Sequence, residues 1–189
     1  LNRELAVVND VLDHPVNTLR SEHRVQLEAC QTLEAIADAL PAVINPLVIE
    51  SSRNVLDKVF LSHIRFEEQQ LFPRLRYRLD GNESLLKILD QLSREHHRDE
   101  CAVMEVSEEL AELAGGRKCR NPEMLGYMLR GFFEGQRSHI ELENSTILPI
   151  AQTVLTVEDL SGMSSWLGHN DQIGIMRAAE RNVEQLTRR

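Results

Sequence analysis

The apolar positions of this chain recur every three to four residues in four long runs, the spacing of one buried face on an α-helix. The first run is Val16, Leu19, His23, Gln26, Cys30, Leu33, Ala37 and Leu40. Its steps alternate three and four, as in helices that pack side by side at a shallow angle. Asp13-His14-Pro15 opens it, because a helix tolerates Pro in its first turn, and Pro41 ends or bends it. The second run, predicted over about 46–79, opens at Asn45-Pro46 and carries Leu56, Val59 or Phe60, His63, Glu67 and Leu71. Pro73 is expected to kink or tighten it. Asp80-Gly81-Asn82-Glu83 then reads as a turn, with Gly81 free to take the left-handed backbone. A third helix over about 83–114 shows Leu89, Leu92, His96, Asp99, Val103, Val106, Leu110 and Leu113. After a basic loop, a fourth helix over about 122–154 shows Leu125, Leu129, Phe132, Gln136, His139, Glu143, Ile147 and Ile150.

Shorter elements flank these four. Residues 1–13 carry a brief apolar pattern (Leu5, Val8, Val11, Leu12). Thr156 and Asp159 form a variant capping box that starts a further segment, which Gly162 and Gly168 are expected to break. A last amphipathic helix is predicted over about 170–187, with Ile173, Met176, Ala179, Val183 and Leu186 on one face. The expectation is an all-α protein: an up-down-up-down four-helix bundle with an additional C-terminal helix. Residues 1–155 would form the bundle with its short lead, and 156–189 an extension packing on the bundle, on a second copy or on a protein partner.

Composition narrows the class of function. With 42% hydrophobic and only 4% aromatic residues, the chain can bury a core but offers no run of strands. A net charge of −9 argues against a general nucleic-acid binder, which would present a basic face. No segment reaches the roughly 18 apolar residues of a membrane span. The start, Leu1-Asn2-Arg3-Glu4-Leu5, lacks the apolar core of a signal peptide, and its missing Met suggests a trimmed chain. Cys30, Cys101 and Cys119 are odd in number and widely spaced, so neither a disulfide framework nor a zinc knuckle is indicated. A reducing, cytoplasmic setting is the simplest reading.

Polar residues interrupt the apolar seams at their midpoints, and they do so twice in the same way. His63-Ile64-Arg65-Phe66-Glu67 runs on to Leu71-Phe72-Pro73, and His139-Ile140-Glu141-Leu142-Glu143 runs on to Ile147-Leu148-Pro149. A His and a Glu four apart share a helix face, with Cβ atoms about 6 Å apart, so both can reach one metal ion. Each motif lies downstream of a mid-helix Glu-His pair, Glu22-His23 or Glu95-His96. The four helices therefore form two similar pairs related by a pseudo-twofold axis. The inward set is His23, His63, Glu67, His96, His139 and Glu143. Left unpaired in a core these groups would be costly, and a metal centre removes that cost. Six donors exceed the need of one tetrahedral zinc and suit two five- or six-coordinate ions with bridging carboxylates and open positions. Imidazole suits iron, copper, zinc and nickel, while the lack of seam thiolates disfavours Cu(I) and iron–sulfur clusters. Two irons bridged by carboxylates and an oxo or hydroxo group fit best, with zinc or manganese as other occupants.

The order His … His-x-x-x-Glu … His … His-x-x-x-Glu, with Leu-Phe-Pro and Ile-Leu-Pro tails, resembles the hemerythrin-like (HHE cation-binding) family over roughly residues 15–155. The resemblance implies a non-heme di-iron centre in which His23, His63, His96 and His139 are terminal ligands and Glu67 and Glu143 bridge. It implies binding of dioxygen, nitric oxide or peroxide for oxygen or redox sensing or handling. Peroxide breakdown by the same centre, and an iron-responsive regulatory or iron-storage module, are the other functions it brings. Ferritin-like bundles match less well, because they use Glu-x-x-His and more Glu than His. One departure stands out. The oxygen-carrying members have a fifth His one turn after the third-helix His, where this chain has Glu100, with Asp99 nearer the seam. Either carboxylate is a candidate seventh ligand or a surface group.

Other polar residues invite simpler readings. His97 reads as a residue at the edge of the seam, His14 as a cap or surface residue, and His169 as structural. Glu68 is expected to face solvent. Cys30 and Cys101 read as small buried residues, and Gln136 as a bundle-edge residue or a partner of a ligand. Phe60, Leu71, Phe132 and Ile147 are expected to keep the pocket dry.

Overall fold

A computed structural model describes residues 14–117 and 119–169, all of it helix and connecting turns. The predicted helix over 170–187 and the lead over 1–13 lie outside the described residues. Helix α1 spans Pro15–Ala39. Helix α2 covers 46–78 without a break, as Pro46–Val55, a π-helical turn Leu56–Phe60, Leu61–Phe66, a second π turn Glu67–Leu71, and Phe72–Arg78. Helix α3 is Glu83–Ala114. Helix α4 covers 122–154, with a π turn at Glu143–Ile147 between Pro122–Leu142 and Leu148–Val154. Helix α5 is Val157–His169. Among the described residues no helix is long and apolar enough to cross a membrane.

The starts follow the expected chemistry. Asn45, Asn82 and Asn121 each accept a backbone N–H of the first turn, and Pro follows at once in α2 and α4. The capping box of α5 closes in both directions. The Asp159 amide donates to Thr156 Oγ1 (3.3 Å), and the Thr156 amide donates to the Asp159 carboxylate (2.9 Å). Gly81 takes φ +84°, which lets the chain reverse in the short α2–α3 turn.

Long-range contacts fix the direction of each helix. On α2 and α3, Arg53 pairs with Ser107, Glu68 with Ser93 and Arg76 with Asp90, so rising numbers meet falling ones. On α1 and α4, Arg20 pairs with Gln152, Glu34 with Arg137 and Asp38 with Arg130 in the same sense. Neighbours are antiparallel, and α1 packs on α2 and α4 while α3 packs on the same two, which closes the four-helix ring.

Two apolar clusters fill this ring. One contains Val25, Leu33, Phe60, Val106 and Phe132, with the Phe60 and Phe132 rings 5.4 Å apart. The other contains Leu19, Phe66, Phe72, Leu92 and Leu148. On each of the four bundle helices the boundary between the two clusters falls at the predicted polar positions.

Two expectations are corrected here. Gly162 and Gly168 do not break the segment after Thr156, because α5 runs through both. Met163 and Leu167 are fully buried against the bundle, each contributing about 1.5–3 kcal/mol, more than the roughly 1 kcal/mol that a helical glycine costs. Gly162 also gives room to Arg74, whose guanidinium nitrogen would lie 2.9 Å from an added Cβ. Pro73 does not tighten α2 but follows a widened turn. No proline follows the π turn at Leu56–Phe60, and nothing in the structure explains it.

Candidate metal centre

The two His-x-x-x-Glu motifs share a backbone device. In each, the Glu is the first residue of a π turn. The Phe72 amide donates to the Glu67 carbonyl, and the Leu148 amide to the Glu143 carbonyl, each five residues back. Pro73 and Pro149 come next. A proline in a regular α-helix leaves the carbonyl four residues back without a donor and collides with it. An extra residue in the preceding turn relieves both problems, and π turns of this kind recur at functional sites. The proline in each tail thus accompanies a local widening at the carboxylate.

All six predicted residues come together between the two apolar clusters, and none is more than 6% exposed. Their donor atoms form two overlapping groups: His23, His63, Glu67 and Glu143, and Glu67, His96, His139 and Glu143. Within them, His23 Nε2 lies 3.1 Å from His63 Nε2, and His96 Nε2 lies 3.1 Å from His139 Nε2. Glu143 presents Oε2 to His23 at 3.1 Å and Oε1 to His139 at 3.2 Å. Glu67 presents Oε2 to both His63 and His96, at 3.2 Å each. Both carboxylates therefore belong to both groups.

The outer ring nitrogens are all occupied. His63 Nδ1 contacts Glu22 (2.7 Å), His96 Nδ1 contacts Glu68 (2.7 Å), His139 Nδ1 contacts Glu95 (3.0 Å) and His23 Nδ1 contacts Asn144 Oδ1 (3.0 Å). Each acceptor needs a hydrogen on Nδ1, so each Nε2 is turned inward. The four contacts form a cycle. Glu22 on α1 holds a histidine of α2, Glu68 on α2 one of α3, Glu95 on α3 one of α4, and Asn144 on α4 one of α1. Each holder is the chain neighbour of a residue in the cluster.

Electrostatics show what the centre lacks. Burial disfavours charge on His63, yet Glu67 and Glu22 outweigh it and lift its pKa well above 6.5. In the same way burial opposes, and Glu67 and Glu68 overcome, a shift that carries His96 up to about 10. His139 also rises, against burial, under Glu143. Burial raises Glu143, but His139 and His23 hold it well below the usual carboxylate range. The site concentrates negative charge and calls for cations. Nonetheless, all four oxygens of Glu67 and Glu143 are buried without a hydrogen-bond partner, because the 3.1–3.2 Å approaches are not aligned as hydrogen bonds. Such orphans are rare in a core. Donors bound at right angles to one ion at about 2.1 Å lie about 3.0 Å apart, close to the spacings seen here. The residues fit a metal ion in each group.

A cleft of about 520 Å³ between α3 and α4 reaches the edge of this centre, with Glu95 and His139 in its lining. Gly131 and Gly135 line it, and a Cβ added at either would meet nothing within 4 Å. Asp99 lies in the same lining and is paired with Gln136; burial raises its carboxyl above the usual range.

Several simpler readings need revision. Glu68 does not face away into solvent but is half-buried on His96. Cys101 is exposed, while Cys30 is buried and its thiol is pushed up to about 12 by that burial. His97, by contrast, is exposed and outside both groups, as its place at the edge of the seam suggests, and neither Asp99 nor Glu100 joins them. Periodicity alone does not reveal Glu22, Glu95 and Asn144 as partners of the histidines, nor Phe72, whose ring stacks on His96 at 5.3 Å and 13°. The available signal was adjacency: a Glu just before His23 and His96, and an acceptor just after Glu67 and Glu143.

Comparison with known families agrees with the geometry. The model of the hemerythrin HHE cation binding domain matches residues 14–151. The chain belongs to the hemerythrin HHE family. No curated protein and no solved structure matched the chain. As a hemerythrin-family bundle it is a metal-binding domain, and the two His/Glu groups are its candidate metal positions. Helix α5 follows the matched region and packs against α1 and α2, where Trp166 lies 5.4 Å from Phe66.

Proposed function

We propose that this hemerythrin-family domain holds two non-heme irons and binds a small ligand, dioxygen, nitric oxide or peroxide, for oxygen or redox sensing or handling. The observation that carries the reading is the pair of overlapping donor groups sharing Glu67 and Glu143. In it, His23 and His63 would hold one iron and His96 and His139 the other, with Glu67 and Glu143 shared between them. Iron held there would supply the redox chemistry for reaction with the ligand. The protein's part is to fix four imidazoles by their outer nitrogens, to keep water out with Phe60, Phe66, Phe72 and Phe132, and to admit the ligand from the α3–α4 cleft. With four protein donors in each group, open positions remain on ions of five or six coordination.

The test is metal content per chain after growth with iron, with absorption spectra in air and after reduction. About two irons with near-ultraviolet bands that bleach on reduction and return in air are expected. One zinc, or no metal and no bands, would refute the reading.

Peroxide breakdown is a second reading, favoured by Asp99. Its carboxyl keeps its proton more readily than an ordinary Asp and lies in the cleft close to His139. Asp99→Asn should then abolish turnover of hydrogen peroxide while leaving iron content intact. Unchanged turnover, or none in the parent protein, removes this reading and leaves the first.

A further inference from the structure

The cycle of outer contacts is uneven at one point. Three histidines are held by carboxylates and the fourth, His23, by the neutral amide of Asn144. Asn144 occupies, in the second motif, the place that Glu68 holds in the first, immediately after the shared carboxylate. Its Oδ1 orients His23 as well as a carboxylate would, at 3.0 Å, but brings no charge. We infer that the two metal positions are unequal, and that the position between His96 and His139 fills first and holds its ion more tightly than that between His23 and His63. The inference rests on the two-metal reading above and concerns which residues grade the two positions.

The physical cause is the basicity of the inward nitrogen. A carboxylate accepting the Nδ1 hydrogen pulls positive charge onto the ring and makes Nε2 a stronger donor; such partners change metal affinity about 10–100-fold. The His96/His139 half has two such partners, Glu68 and Glu95, and the His23/His63 half has one, Glu22. Glu67 and Glu143 reach both halves and do not separate them. Two features oppose the inference. Glu22 is 1% exposed and acts almost unscreened, whereas the Glu68 and Glu95 side chains are 35% and 22% exposed. Arg98 also lies 4.0 Å from Glu95, although it is itself 73% exposed. Neither supplies the missing charge on His23. The direct hydrogen bonds of Glu68 and Glu95, at 2.7 and 3.0 Å, leave no room for intervening solvent.

Zinc is a suitable probe, because it is diamagnetic and stable in air. The metal-free chain is titrated with Zn²⁺ by calorimetry and chelator competition, and the imidazole signals are followed by NMR. Two steps differing at least about tenfold in affinity are expected. At one equivalent, the His96 and His139 rings should shift while His23 and His63 stay at their metal-free positions. Asn144→Asp should tighten the second step about 10–100-fold and leave the first in place, and Glu68→Gln should weaken the first step by a similar factor. Both sites are partly exposed, so neither change threatens folding. Two equal steps, His23 and His63 shifting first, or a second step indifferent to Asn144→Asp would each overturn the inference while the two-metal reading stands. Failure of the chain to bind Zn²⁺ at all would overturn both.

Discussion

Glu67→Gln separates the metal role of the centre from its role in the core. The side chain is fully buried, lies 3.2 Å from both His63 Nε2 and His96 Nε2, and belongs to both donor groups. Gln keeps its shape and removes its charge. Metal present at 100 times its dissociation constant stabilises a folded protein by about 2.7 kcal/mol per site. If the amide weakens each site about 100-fold, only about 0.4 kcal/mol per site survives at that concentration. The loss is then about 2.3 kcal/mol per site, or about 4.6 kcal/mol for two. At about 2–4 °C per kcal/mol for a chain of this size, the rise in melting point that metal brings shrinks by about 9–18 °C. The metal-free protein should respond for a different reason. There burial and the charge of Glu143 oppose the ionisation of Glu67, but His63 and His96 outweigh them and hold its carboxyl below the usual range. Removing one partner of a buried charge pair costs about 3–5 kcal/mol, so the metal-free variant should lose about that much, and the metal-bound variant about 4.6 kcal/mol more. Thermal unfolding of both proteins, with and without metal, reads all four states. A variant that keeps the full metal-induced shift would refute the assignment of Glu67 to the metal positions. Equal losses with and without metal would make it a structural residue only.

The remaining predictions use other parts of the same site. The metal-free protein should be most stable between about pH 4.5 and 6.5. The raised imidazoles contribute fully below 6.5 and lose their contribution as pH climbs towards about 10, while the lowered carboxylates contribute above 4.5 and lose theirs in acid. Bound metal supplies the positive charge at all these values, so thermal unfolding of the metal-bound form should lack the alkaline decline; a parallel decline in both forms would contradict this. Phe72→Ala removes a fully buried ring stacked on His96 and should cost about 3–5 kcal/mol in chemical denaturation, and a loss under 1 kcal/mol would show that the ring is not a core element. Gly135→Leu places a side chain in the α3–α4 cleft without a clash at Cβ, so it should slow ligand binding in stopped flow at unchanged metal content. Unaltered rates would mean that the ligand enters elsewhere.

Much of this arrangement could be read from periodicity. The seam on α1 from Val16 to Ala37 is buried at every predicted position, and so is the seam on α2 from Leu56 to Leu71. His23, His63, Glu67, His96, His139 and Glu143 were recognisable because a single helix axis places i and i+4 together and the repeat supplies the other half. The holders of the histidines were not recognisable in that way. Glu68 points off the seam of its own helix, and only the packing of α2 against α3 decides that His96 meets it there. Glu22 and Asn144 depend likewise on the register between neighbours, which no single run of residues contains. Gly162 misled for a related reason: taken locally it interrupts a helix, while Met163, Leu167 and the approach of Arg74 keep that helix in place.

The cycle of outer contacts also has a mechanical meaning. Because each holder is the chain neighbour of a donor, one helix cannot turn about its axis without moving its own donor and the neighbouring helix's imidazole together. The four helices behave as meshed gears around the centre. A shift at His23 or His96 would pass to the next helix through one peptide unit and one hydrogen bond, whereas from His63 or His139 it would pass through the helical turn to Glu67–Glu68 or Glu143–Asn144, and four such steps return to the origin. The one neutral contact, between Asn144 and His23, is where that train can slip, and it lies on α1, one of the two helices against which α5 is packed.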